Sequence, residues 1–127
     1  MKINKDLIIS GTNMTLGDTA YKDIYSTTET KTNKVWIDGR PIYRKVITGD
    51  LSQENWNHGI NFSRITSIEG VFYNENSGNT FNIPSLRTGF VEYQVGIYIT
   101  STYIHFDRGE GAQRADMKFY VVLEYVK

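Results

Sequence analysis

The 127-residue sequence predicts an all-β fold, an antiparallel β-sandwich of jelly-roll type preceded by a short shaft-like segment. Three observations point there. Short runs rich in β-branched and aromatic residues recur between turn-forming residues. The two clearest, Val91 to Ile99 and Lys118 to Lys127, alternate with the period of two that a pleated strand requires. No stretch has the length and 3.6-residue periodicity of an amphipathic helix, and strands at this spacing without long helices close into a sandwich.

In chain order, residues 1–24 form an N-terminal segment that is mostly polar, with apolar groups at Leu7-Ile8-Ile9 and Met14 to Leu16. These fragments cannot make a core alone. They read either as strands added to the main sheet or as a shaft burying its few apolar residues against copies of itself. Residues 25–127 form the head domain. Tyr25 to Asn33, rich in Thr and charge, reads as a surface connector or an exposed strand. The stretch Val35 to Ile47 (V-W-I-D-G-R-P-I-Y-R-K-V-I) then reads as a β-hairpin, because Asp38-Gly39 tolerates the positive φ angles of a type I′ turn. A two-residue turn there sets Ile37 opposite Arg40, Trp36 opposite Pro41, Val35 opposite Ile42 and Lys34 opposite Tyr43. Trp36 would lie on the Pro41 ring and the Lys34 ammonium beside the Tyr43 ring. Pro41 has no N–H to donate, which marks that side of its strand as a sheet edge. Trp36, Asp38, Gly39, Pro41 and Tyr43 are therefore assigned a structural role in a stiff hairpin.

Asp50-Leu51-Ser52-Gln53 has the form of a capping box with Asp50 at the cap, for a helix of a turn or two. His58, before Gly59, supports a loop through a hydrogen bond. Ile60 and Phe62 share one face of a strand, and the three-residue step from Ile65 to Ile68 implies a bend, bulge or break. Asn74 to Asn79 is a turn-rich loop, and Phe81 to Leu86, with Pro84, is a short edge strand. Val91, Tyr93, Val95, Ile97 and Ile99 face inward. After a turn at Ser101-Thr102, Ile104 and Phe106 point in while Tyr103 and His105 point out. Asp107 to Asp116 is a charged, Gly-containing loop. In the last run Phe119, Val121, Leu123 and Tyr125 make one face. The other, Tyr120, Val122, Glu124 and Val126, is also largely apolar, so this strand is central or its second face meets a partner.

Fourteen basic and fourteen acidic residues balance, so no net charge draws the chain to nucleic acid or an anionic membrane. Cysteine is absent, which excludes disulfides, thiol catalysis and thiolate metal sites. The start, Met1-Lys2-Ile3-Asn4-Lys5-Asp6, lacks the apolar core of a signal peptide, and no run approaches a membrane span. His58 and His105 have no paired carboxylate nearby at a ligand-like spacing, so neither a metal nor another cofactor is expected. Asp107, Arg108, Glu110, Arg114 and Asp116 could be read as a glycosidase pair. That reaction needs two carboxylates fixed across a cleft, one with a raised pKa, and a Gly-containing loop supplies neither. Charged groups on a β scaffold suit sugar binding better. With no G-x-S-x-G elbow and no phosphate loop, the chain reads as non-enzymatic. The candidate binding set is Trp56, Tyr103, His105, Asp107, Arg108, Glu110 and Arg114. Aromatic rings accept sugar faces or pack in subunit interfaces; Tyr98 reads as an interface residue, and Tyr103 is left open between the two.

Several segments in order carry a resemblance. They are Tyr25-Ser26-Thr27-Thr28-Glu29, W-I-D-G-R-P-I-Y-R-K from Trp36 to Lys45, His58-Gly59-Ile60-Asn61 with Ile65, Ile68 and Gly70 downstream, and V-L-E-Y-V-K from Val122 to Lys127. From about residue 21 to the end, the chain resembles the C-terminal domain of tail-fibre and minor structural proteins of tailed bacteriophages and prophages. The W-I-D-G-R-P-I-Y-R-K stretch is the specific part; the other pieces are short. The resemblance implies a virion protein of the tail, at the distal end of a fibre or baseplate. It implies a homotrimer that touches other tail or baseplate proteins and a bacterial surface glycan, made in the bacterial cytoplasm and released by lysis. Residues 1–24 would be the end of a fibre shaft, although almost no shaft is present. No catalytic residue is carried over. The alternatives are a monomeric lectin-like carbohydrate-binding module and a small glycan depolymerase domain.

Overall fold

The structure, a computed structural model, describes residues 23–85 and 93–127. Expectations for residues 1–22, most of the shaft-like segment, and for 86–92, which include Leu86 and Val91, lie outside the described residues. Strand β1 (Thr30–Val35) turns into β2 (Pro41–Asp50), and β3 (Asn55–Asn57) follows closely. Next come the long β4 (Arg64–Asn74), the short β5 (Thr80–Ile83), β6 (Val95–Ile99) and β7 (Tyr103–Arg108). A 3₁₀ turn at Glu110–Ala112 precedes the closing β8 (Met117–Val126). The strands form two antiparallel sheets, ordered β1-β2-β8-β4-β5 and β3-β7-β6. One core lies between them, drawing Ile47, Phe72, Val121 and Leu123 from the larger sheet and Val95, Ile104 and Phe106 from the smaller. The expected antiparallel β-sandwich is thus observed.

The last run is central, as its two apolar faces imply. β8 pairs with β2 from Tyr43–Tyr125 to Asp50–Lys118, and with β4 from Arg64–Val126 to Asn74–Met117. Phe119, Val121, Leu123 and Tyr125 are fully buried, each worth about 1.5–3 kcal/mol relative to exposure. Tyr125 stacks on Tyr43 and donates its hydroxyl to Glu29 (2.5 Å). Burial, with that hydrogen bond, pushes its pKa far up. Gly49 stands opposite Phe119 where a Cβ would meet the Phe119 ring at 2.9 Å and the Trp56 ring at 3.0 Å, so only glycine leaves room for this aromatic contact. The expected irregularity between Ile65 and Ile68 is a bulge, with the β4–β8 register shifting between Ile65 and Ser67.

Four local expectations are corrected. The hairpin loop has three residues, not two. Gly39 N–H donates to the Trp36 carbonyl and Trp36 N–H to the Arg40 carbonyl, with Gly39 at φ 86°, so Val35 lies opposite Pro41 and Lys31 opposite Tyr43. This loop asks a left-handed residue only of glycine, where a type I′ turn would ask it of Asp38 too. Asp38 instead caps the turn, accepting from the Arg40 backbone N–H (3.0 Å) and Nε (2.7 Å). Lys34 consequently reaches Glu124, and Lys127 takes the place over the Tyr43 ring. Pro41 does not mark an edge strand, since β2 pairs on both sides; it sits beyond the last pair with β8, where no partner needs its N–H. Asp50 caps no helix: its carboxylate accepts from the Ser52 N–H and hydroxyl within a turn. Ile60 and Phe62 lie before β4 in a loop rather than a strand.

That loop is held by His58, as expected. Nδ1 accepts from the Ile60 N–H (3.0 Å), so the proton must sit on Nε2, which donates to the Thr100 carbonyl (2.9 Å). On the outward face of the large sheet, Arg44 and Glu124 lie directly opposite each other and are almost fully buried. Arg44 gives Glu124 two hydrogen bonds (2.8 and 2.6 Å), reaches Asp23 and covers the Tyr25 ring, while Lys34 holds the second Glu124 oxygen (2.7 Å). Burial alone would raise the Glu124 carboxyl, but the bonds from Lys34 and Arg44 outweigh it and hold the pKa below its ordinary 4.5. Between the folded and unfolded values the unfolded chain binds more protons. Stability from Glu124 is therefore present above pH 4.5 and is lost as pH falls from there through the folded value. Urea unfolding on both sides of pH 4.5 should show Glu124→Gln flattening that loss. Near neutrality the substitution should cost about 3 kcal/mol, because it leaves Arg44 buried and underpaired.

Candidate ligand-binding face

The three-stranded sheet presents one side to the core and one to solvent, and the pleat decides which residue goes where. Along β7, Ile104 and Phe106 are buried, so Tyr103, His105 and Asp107 point outward. Residues directly opposite in an antiparallel pair share a face. Asn55 and Tyr98 lie either side of His105, and Asn57 lies beside Tyr103. The outward face is therefore Asn55, Asn57, Tyr98, Tyr103, His105 and Asp107. Asp107 stands opposite Gly96, which leaves the space beside its carboxylate free of a side chain.

These side chains form a connected row. The Tyr98 and His105 rings stack at 4.5 Å and 23°, and Tyr98 remains 49% exposed. His105 Nδ1 meets Asn55 Oδ1 at 2.8 Å, and Nε2 meets an oxygen of the mostly exposed Asp107 carboxylate at 3.2 Å. The imidazole is thus locked between an amide and a carboxylate, and it in turn fixes the Tyr98 ring. Chemically this is an aromatic platform flanked by acceptors and amide donors, on strands rather than on a loop. Such a surface can stack the C–H face of a pyranose and hydrogen-bond its hydroxyls. Among the described residues this row carries one carboxylate, Asp107, whereas glycoside hydrolysis takes a pair held across a cleft.

Of the sequence-derived set, Tyr103, His105 and Asp107 come together here. Trp56 does not. It lies opposite Ile104 on the inward side, donates its indole N–H to the Asp50 carbonyl (2.9 Å) and meets Phe119 edge-on at 5.7 Å. Arg108 also turns inward, its Nη1 on the Leu51 carbonyl (2.6 Å), and ties β7 to the turn after β2. Both side chains are spent on packing, because strand alternation gives them the core side. Glu110 is exposed at the 3₁₀ turn, and Arg114 pairs with Asp116 (2.8 and 2.5 Å) beside a separate 230 Å³ cavity that includes Tyr93 and Asn74. Asn55 and Asn57 were missed, although their places either side of Trp56 in a period-two strand put them opposite it. The chain matches no protein-family model, no curated protein and no solved structure.

Two substitutions separate core from platform. Trp56→Ala should lower the unfolding free energy by about 3 kcal/mol, the low end for a core aromatic because Trp56 is only partly buried against the core, whereas Tyr98→Ala should cost about 1 kcal/mol or less. Thermal and urea unfolding of both variants measure the contrast.

Proposed function

We propose that this chain is the tip of a bacteriophage tail fibre, a non-enzymatic virion protein that acts as a homotrimer and attaches to carbohydrate on a bacterial surface. The observation that carries the attachment is the solvent-facing row Asn55–His105–Tyr98 with Asp107 and Tyr103 beside it. A stacked, half-exposed tyrosine flanked by amide and carboxylate groups suits a sugar ring better than a charged or extended ligand. The tail context is supported by the ordered segments from Tyr25 to Lys127 that resemble fibre-tip domains, with other tail or baseplate proteins as further partners. The same face would serve a monomeric lectin-like module, which differs from the fibre tip in mass rather than in chemistry.

Purified chain should bind surface polysaccharide of a susceptible bacterium, or glycans on an array. Tyr98→Ala and Asp107→Ala should each weaken binding at least about tenfold, equivalent to ~1.4 kcal/mol, while Arg114→Ala leaves it unchanged. Loss of binding on Arg114→Ala alone would move the site to the other cavity. Release of reducing ends that disappears in Asp107→Ala would replace the attachment reading with a depolymerase.

A further inference from the structure

On the outward row of the small sheet, the hydrogen bonds already made decide which polar groups stay open to a ligand. His105 offers none. Its side chain is only 16% exposed, and its two nitrogens face Asn55 Oδ1 (2.8 Å) and Asp107 Oδ1 (3.2 Å). Asn55 is thereby left with its amide nitrogen. Asn57 is in the same state, because its Oδ1 accepts from the Gly59 N–H (2.9 Å). The Asp107 side chain is 75% exposed, and among the described residues His105 is the one partner of its carboxylate, so the second oxygen stands open beside Gly96. The hydroxyls of Tyr98 and Tyr103 can give or accept. Arg108, the one arginine or lysine in the strands of this sheet, turns to the other side and gives Nη1 to the Leu51 carbonyl (2.6 Å). The open groups are therefore neutral donors and a single anionic acceptor.

We infer that this face selects uncharged sugars and turns away acidic ones, with Asp107 as the residue that sets the preference. The inference rests on the attachment reading above and names the class of glycan it takes. A sugar hydroxyl both gives and accepts, so a neutral pyranose stacked on Tyr98 can donate to Asp107 and accept from the asparagine amides at once. An ionised carboxylate, phosphate or sulfate can only accept. Beside Asp107 it brings a second anion with no proton to share, and at the amides it finds neutral donors, roughly half as strong as charged ones. The Tyr98 ring stands one strand across and two residues along from Asp107, roughly 8 Å by strand spacing and rise. That is within the ~10 Å over which exposed charges still interact at 0.1 M salt.

Glycans in matched pairs that differ only at C6, glucose- or galactose-terminated chains against their glucuronate or galacturonate counterparts, read this preference directly. At low ionic strength the full chain should bind the neutral member of a pair at least about fivefold more tightly than the acidic one. Salt at about 1 M, which shortens the screening length to ~3 Å, should close most of that gap. Asp107→Asn keeps an acceptor and removes the charge at an exposed position. It should leave Tm unchanged, weaken the neutral member, and bring the two members within about twofold of each other at low salt. Equal or tighter binding of the acidic member by the wild type would overturn the preference and leave the attachment standing. So would a gap that survives high salt or Asp107→Asn, because it would then come from shape at C6 and not from charge. Binding of neither member of any pair removes the attachment itself, and the preference with it.

Discussion

Pairing of β8 along both of its edges is the constraint on which the rest of the structure depends. A strand hydrogen-bonded on two sides must have its register fixed twice, once against β2 and once against β4, and here both registers bring aromatic or branched residues to the core at the same positions. Shifting β8 by one residue would turn Phe119, Val121, Leu123 and Tyr125 outward and bring Tyr120, Val122 and Glu124 in. The cost would be several buried side chains plus a carboxylate placed among them, against a total stability of only ~5–15 kcal/mol. Gly49 adds a second check, since the Phe119 ring fits only opposite a residue without a side chain.

The ionic cluster on the outward face of β8 fixes register by a different means. Glu124 can satisfy both oxygens only when Arg44 lies directly across and Lys34 reaches over from β1, so β1, β2 and β8 are aligned by one carboxylate. A buried pair adds little net stability compared with apolar residues of the same size. What it does add is discrimination, because any slipped pairing leaves a guanidinium or a carboxylate buried alone. The anchor of Asp23 and Tyr25 on Arg44 extends the alignment to the chain entering the sheet.

Much of this was legible in the sequence, and what was legible follows from period two. Alternation at 95–99 and 118–127 identified strands, inward faces and the central place of β8, and the broken step from Ile65 to Ile68 located a bulge. Turn chemistry was harder to read. Asp38-Gly39 fits a two-residue and a three-residue loop equally well at the level of propensity, and the choice rests on one hydrogen bond between Trp36 and Arg40. Asp50 met the pattern of a cap, but the residues after it go into β3 and a tight turn, which a carboxylate caps just as well. For the candidate site, Tyr103, His105 and Asp107 followed from alternation. Trp56 and Arg108 were misplaced because their residue type was weighed without their phase: each is one residue out of step with the outward row. The Arg44–Glu124 pair spans eighty positions, and nothing local marks two such residues as partners.

The two sheets differ in what their outward faces can do, and the difference follows from length. β2, β4 and β8 are ten or eleven residues long, so their outer face is broad enough to bury an ion pair and still leave an apolar groove beside it. The small sheet has strands of three, five and six residues, so its outer face holds little more than a single row of side chains across three strands. A row that short matches something the size of a sugar ring, whereas a stable protein interface takes roughly 800 Å² on each side. The two outward faces therefore differ in kind, a single row of aromatic and polar side chains on the small sheet and a broad face with a buried ion pair on the large one, and the shared core keeps them in fixed relation.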